Sequence, residues 1–141
     1  MTNSFNEFAR AKMFMVIGSN MTEAHPVAAT FVKNAVADGA RLIVVDPRRH
    51  ALADHAELHV PLRVGSDIAF LNSVMQVLIA EDLYDREFVR TCTVDFEELK
   101  QKVQAYAPEK AAAICGLEPD LIREVARRIS AVKPMMLCYT L

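Results

Sequence analysis

Residues Met15 to Pro26 read Met-Val-Ile-Gly-Ser-Asn-Met-Thr-Glu-Ala-His-Pro, an apolar strand that runs into a tight Gly-Ser-Asn turn and then into a helix opening at proline. A strand that ends in small polar residues at a helix mouth is where α/β proteins hold a phosphate. Free backbone N–H groups and the helix dipole converge there. Val27, Phe31, Val32 and Val36 recur at helical spacing until Asp38-Gly39 stops the helix. Arg41 to Val45 is then a continuous apolar run, as expected of a parallel strand covered on both faces. Together these segments make one β-α-β unit, whose crossover should be right-handed. The expectation is an α/β fold, a three-layer parallel sheet of Rossmann-like type, formed by residues 1–141 as a single cofactor-binding domain.

Further along, Pro47 to Glu57 forms a loop with a short helical stretch, and Leu58 to Leu62 reads as a strand whose Pro61 suits an edge or terminal position. Arg63-Val64-Gly65-Ser66 makes the next turn. Asp67 opens a helix with Ile68, Leu71, Val74, Met75, Leu78 and Ile79 on one face, ending near Glu81. Asp85, Asp95 and Glu118-Pro119 each precede a short periodic stretch, so three or four short helices pack in the second half. Met135 to Thr140 reads as a final core strand, and a chain that stops directly on such a strand is expected to be a piece of something longer.

Three strand-to-loop junctions share one polarity: Gly18-Ser19-Asn20, Asp46-Pro47-Arg48 and Gly65-Ser66-Asp67. In a parallel sheet the carboxyl ends of neighbouring strands lie side by side, so the three loops are expected to line one crevice. Gly18 lets the backbone approach closely, and Ser19 and Asn20 offer hydrogen bonds to phosphate oxygens. Asp46 stands where an acidic side chain accepts ribose hydroxyls in dinucleotide folds, and Arg48 can stack on a base or pair with phosphate. Asp67 can accept two parallel bonds from a guanine N1–H and amino group, a pairing that adenine does not provide. Against this stands the plainer reading, in which Asp46 is a turn residue and Asp67 a helix cap.

Charge and composition remove other classes. With a net charge of −2 and no basic run longer than Arg48-Arg49-His50, the chain lacks the footprint of a nucleic-acid binder. No apolar run is long enough to cross a bilayer, and Met1 to Lys12 does not resemble a signal peptide, so a soluble, cytoplasmic protein without membrane insertion is expected. Cys92, Cys115 and Cys138 form no Cys-x-x-Cys pair and read as buried reduced thiols. His55 and His59 have a metal-ligand spacing only on a helix, whereas His59 falls in a strand, so no metal is assigned. His25 stands at the helix mouth, where a capping or surface role competes with ligand contact. Met13, Met15, Met75, Met135 and Met136 fall on core faces. Only the first glycine of a nicotinamide-type fingerprint is present, and no nucleophile, base and orienting group recur together, so no catalytic residue is placed on this chain.

At the same junctions the sequence resembles the molybdopterin oxidoreductases of the dimethyl sulfoxide reductase family, and most closely their formate dehydrogenase alpha subunits. The match is carried by Gly18-Ser19-Asn20-Met21-Thr22-Glu23-Ala24-His25-Pro26, Val44-Val45-Asp46-Pro47-Arg48, Pro61-Leu62-Arg63-Val64-Gly65-Ser66-Asp67 and Asp82-Leu83-Tyr84-Asp85. The resemblance implies an α/β domain that helps embrace molybdenum or tungsten carried by two molybdopterin guanine dinucleotides. By position it implies that Gly18, Ser19, Asn20 and Glu23 line the dinucleotide near its phosphates, that Asp46, Pro47 and Arg48 border the guanosine, and that Gly65, Ser66 and Asp67 reach the guanine. It further implies the remaining domains of the same catalytic subunit and electron-transfer subunits as partners, with a periplasmic setting if a longer protein carries a twin-arginine signal.

The family's closely spaced N-terminal cysteines for a 4Fe-4S cluster, its metal-ligating cysteine or selenocysteine followed by histidine, and its later substrate-side arginine are not in this sequence. The expectation is therefore an excised cofactor-binding domain that does not oxidise formate alone. A nitrate reductase of the same family, a freestanding NAD- or FAD-binding module and a purely structural domain are the competing readings.

Overall fold

The computed structural model describes residues 4–139, which divide into two compact units. The first holds residues up to Pro61 together with the segment from Val132 onward, and the second spans Leu62–Ala131.

The first unit is built on four parallel strands: β1 (Met13–Ile17), β2 (Arg41–Val45), β3 (Leu58–Val60) and β4 (Met135–Tyr139). Their spatial order is β3-β2-β1-β4. Between β1 and β2 the chain forms a one-turn helix, α1 (Met21–Ala24), and then α2 (Pro26–Ala37). Short 3-10 turns cover Phe5–Arg10 and Ala51–His55. β1 pairs in register with β2 from Met13 opposite Arg41 to Ile17 opposite Val45. All five residues of β1 are buried, as are the last four of β2, which accounts for apolar runs with no polar alternation. On one sheet face Phe14, Val16, Leu42 and Val44 share a core with Ala28, Ala29, Val32 and Ala35 of α2 and with Phe8 and Leu52. The small alanines let α2 lie close on the sheet, and the rings of Phe8 and Phe14, 5.8 Å apart, fill one end.

The second unit is helical: α3 (Asp67–Ala80), α4 (Arg86–Cys92), α5 (Phe96–Val103), α6 (Pro108–Cys115) and α7 (Pro119–Ala131). α3 packs against α6 and α7 through Phe70, Val74 and Val77, with Ala111, Ala112, Ile122, Val125 and Ala126 also buried. Asp85 caps α4 by accepting the Phe88 N–H at 2.9 Å, and Gly116 ends α6 in the left-handed conformation that glycine adopts without strain.

The α/β class, the parallel sheet and the boundaries of the second strand and of α2 agree with the expectation from sequence. Several details differ. Val27 and Ile68, which open the apolar periodicity of their helices, are 63% and 73% exposed. Each helix buries the small or aromatic residue one or two positions further on instead, Ala28 and Ala29 in α2, Ala69 and Phe70 in α3, because the packed stripe is set by the neighbouring surface and not by the most branched side chains. β3 stops at Val60, leaving Pro61 outside the ladder. β4 is an edge strand and not a core strand: Leu137 and Tyr139 are exposed, and Met135, Met136 and Cys138 are half-buried, while Thr140 lies outside the described residues. Met75 is likewise half-buried, whereas Met13 and Met15 are fully enclosed. Cys115 is buried and all three cysteines are free, but Cys92 is exposed at the end of a helix with no buried residue.

Candidate functional site

Strand order marks a candidate site within the first unit. From β1 the sheet grows through β2 to β3 on one side, and β4 lies on the other, so the order reverses between β1 and β4. Open parallel sheets take ligands outside the carboxyl ends of their strands at such a reversal. Gly18, Ser19 and Asn20 follow directly from the carboxyl end of β1.

Gly18 has φ +58°, and the position a Cβ would take is open, with no atom within 4 Å. A left-handed backbone beneath open space is a place where a ligand can come against the main chain. The Gly18 N–H donates to the Val45 carbonyl at 2.9 Å, which ties the first junction to the end of β2. Ser19 is buried. Asn20 begins α1, its carbonyl accepting the N–H groups of Glu23 at 3.1 Å and Ala24 at 3.0 Å, and its side-chain oxygen accepts the Thr22 hydroxyl at 2.8 Å. Glu23 is exposed. α1 turns the chain so that α2 starts at Pro26, with His25 as an N-cap residue whose exposed side chain makes no capping bond.

The second junction is the most constrained. Asp46 donates its N–H to the Val60 carbonyl at 3.1 Å, and its own carbonyl accepts the His59 Nε2–H at 2.9 Å, so its main chain is held from both sides by β3. One carboxylate oxygen, Oδ1, accepts the Arg48 N–H at 2.8 Å. That is the bond of an Asp-initiated turn, so the plainer role is present in the geometry. The other oxygen, Oδ2, stands 3.9 Å from Nε2 of His50. Pro47 and Arg48 are exposed, and the Arg48 guanidinium makes no hydrogen bond or ion pair with the described residues. Arg49 is paired with Asp54 at 3.2 Å.

The third junction belongs to the second unit. Gly65 is left-handed at φ +78°. Ser66 and not Asp67 is the N-cap residue of α3, with Asp67 in the first turn, where an acidic group suits the helix dipole. The Ser66 hydroxyl donates to the Arg63 carbonyl at 2.5 Å, and the Ser66 carbonyl accepts the Phe70 N–H at 3.0 Å. Arg63 fastens this turn to the end of α6, its N–H meeting the Cys115 carbonyl at 2.7 Å and its guanidinium the Ile114 carbonyl at 3.2 Å. Burial raises the Cys115 thiol, which donates to the Ser66 carbonyl at 3.6 Å. These bonds tie the turn to the end of α6, and Asp67 is the carboxylate that it presents.

Two residues near Asp46 were not singled out from sequence as binding groups. His59 holds the Asp46 carbonyl, and His50 stands beside its carboxylate. The signal that would have found His50 is its position four residues after Asp46. His55, the other half of the His55/His59 pair, is exposed on the 3-10 turn while His59 bonds to Asp46. Among the described residues no group of three or more His, Cys, Asp or Glu is arranged to hold a metal, and no helix is long and apolar enough to cross a membrane.

The donor set fits a nucleotide diphosphate: an open glycine backbone, small polar side chains, an unpaired arginine and a carboxylate with one oxygen left over. The family model described as molybdopterin oxidoreductase matches residues 1–138. The chain is 39% identical over 139 residues to the F420-dependent formate dehydrogenase 1 subunit alpha of Methanococcus maripaludis, covering 99% of this chain and 21% of that protein. It is 39% identical over 138 residues to a nitrate reductase of Symbiobacterium thermophilum, covering 91% of this chain and 18% of that one. Among solved structures, acetylene hydratase from Pelobacter acetylenicus superposes with a TM-score of 0.89 at 37% identity, over 94% of this chain and 18% of that chain. The chain thus spans about a fifth of the length of the curated relatives it matches. It belongs to the molybdopterin oxidoreductase family, whose members carry their metal on a molybdopterin cofactor.

Proposed function

We propose that this chain binds a molybdopterin guanine dinucleotide within the catalytic subunit of a formate dehydrogenase. The observation that carries the reading is the open, left-handed Gly18 at the sheet's reversal point, hydrogen-bonded to the end of the strand that supplies Asp46 and Arg48. In this reading Gly18, Ser19, Asn20 and Glu23 lie along the diphosphate. Asp46 accepts ribose hydroxyls through Oδ2, and Pro47 and Arg48 border the guanosine. Gly65 and Ser66 shape the turn from which Asp67 accepts the guanine N1–H and amino group.

When bound, the cofactor would supply a molybdenum or tungsten centre for the two-electron oxidation of formate to carbon dioxide. This chain's own share is to hold and orient the dinucleotide. A 4Fe-4S cluster, the remaining domains, electron-transfer subunits and a cytoplasmic setting belong to the same proposal for the longer protein. Formate dehydrogenase is favoured by the alpha-subunit relative matched over 99% of this chain. The nitrate reductase at the same identity supports the second reading.

A thermal-shift titration with GDP, ADP and NAD tests the binding claim. A ligand selective for the folded state stabilises by about 2.7 kcal/mol at a hundredfold excess over its dissociation constant. A GDP-selective shift that disappears in Asp67→Ala is expected. A preference for ADP or NAD, or no shift with any of the three, overturns it. Formate-dependent against nitrate-dependent turnover of the longer protein separates the two enzymes.

A further inference from the structure

We propose that His50 is the positioning residue that aims the Asp46 carboxylate, and thereby sets recognition of the ribose hydroxyls. The inference rests on the ribose role given to Asp46 above. The His50 side chain is 5% exposed, and neither ring nitrogen has a hydrogen-bond partner among the described residues. An enclosed imidazole with both nitrogens unmatched is costly and rare, so this ring requires a reason to be there. Among the described residues the ring stands beside Asp46, whose side chain is 8% exposed and whose Oδ2 lies 3.9 Å from His50 Nε2.

Hydrogen bonds hold the backbone that carries this pair. The Asp46 main chain is pinned to β3 through Val60 and His59, and Oδ1 is held by the Arg48 N–H. The His50 N–H is itself bonded to the Arg48 carbonyl at 3.1 Å, so both side chains rise from one closed turn. An approach of roughly 1 Å brings Nε2 within hydrogen-bond distance of Oδ2. The Nε2–H then occupies one lone pair of Oδ2 and directs the other at the ligand. Ring and carboxylate thus form an acceptor that is set before the ligand arrives, which lowers the ordering cost of binding.

The test compares GDP with 2′,3′-dideoxy-GDP on the 141-residue chain, by calorimetric titration of wild type, His50→Gln, His50→Leu and Asp46→Asn. Wild type is expected to prefer GDP by roughly tenfold or more, the scale of hydrogen bonds to a charged acceptor. His50→Gln, which retains an N–H donor, keeps the preference. His50→Leu loses most of it, and the loss falls on GDP. A His50→Leu variant that discriminates as wild type does, while Asp46→Asn does not, overturns the role of His50 alone. Equal binding of the two nucleotides by wild type, or no binding of GDP, overturns the ribose role of Asp46 and this inference with it.

A second readout does not require His50→Leu to fold. In the ligand-free chain, the His50 Nε2 signal in nitrogen NMR responds to the pairing, reading as a hydrogen-bonded donor in wild type and not in Asp46→Asn. An identical response in both proteins overturns the pairing.

Discussion

Asp46 offers a separation of two roles within one side chain. Oδ1 serves the turn through the Arg48 N–H at 2.8 Å, and Oδ2 is left for a ligand. Asp46→Ala removes both oxygens, whereas Asp46→Asn keeps the turn acceptor and discards the charge. A hydrogen bond to a charged acceptor contributes about 1.5–3 kcal/mol, partly offset here because the alanine variant no longer buries a carboxylate. A net cost of about 1–2 kcal/mol follows for Asp46→Ala, or roughly 3–6 °C in melting temperature for a chain of this size. Asp46→Asn should melt within roughly 2 °C of wild type.

Binding orders the variants differently. At a GDP concentration that stabilises wild type by about 2.7 kcal/mol, a tenfold weaker site yields only about 1.4 kcal/mol. Asp46→Asn and Asp46→Ala should therefore both lose about half of the GDP-induced shift, although only the second is destabilised without ligand. Melting curves followed by circular dichroism, with and without GDP, measure both quantities. An Asp46→Asn variant with the full wild-type shift would refute the argument and leave Asp46 as a turn residue alone.

Two further expectations concern the rest of the chain. The Arg127 guanidinium, bonded to both oxygens of Glu81 at 2.8 Å, holds that carboxyl below the usual carboxylate range. Stability from this pair is complete above the unfolded value near 4.5 and is lost as pH falls through the lower folded value. The gap in urea midpoint between wild type and Arg127→Ala should therefore be present near neutral pH, close in acid and narrow in high salt, and a gap independent of pH would contradict the assignment. Among the thiols, Cys92 is exposed whereas burial raises Cys115 and Cys138. Iodoacetamide at mildly alkaline pH, read by mass spectrometry, should label Cys92 first and Cys115 only on denaturation. Comparable labelling of Cys115 in the folded chain would show that its site is open.

The parts of the fold legible in the sequence are those carried by local pattern. Met13 to Ile17 and Arg41 to Val45 are continuous apolar runs of strand length, and Pro26 and Asp38-Gly39 mark the ends of a helix through backbone chemistry that acts within a few residues. The three polar junctions were visible for the same reason, each being a short run of turn-forming residues after an apolar strand. α1 was not, because one turn of Met-Thr-Glu-Ala carries no periodicity to read.

What only the tertiary structure decided depends on which surfaces meet. Whether Val27, Ile68 and Cys92 would be buried could not follow from their hydrophobicity, since burial belongs to the packed neighbour as much as to the side chain. The edge position of β4 and the reversal of strand order beside β1 arise from pairing between segments more than a hundred residues apart in sequence. His50 likewise reads as an ordinary loop residue until the turn closes and sets its ring beside Asp46. The sequence by itself determined the elements, the polarity of the junctions and the family. The fold decided which of those groups are held, which are paired and which are left with a free atom, because hydrogen-bond partners and enclosure exist only once distant segments have packed.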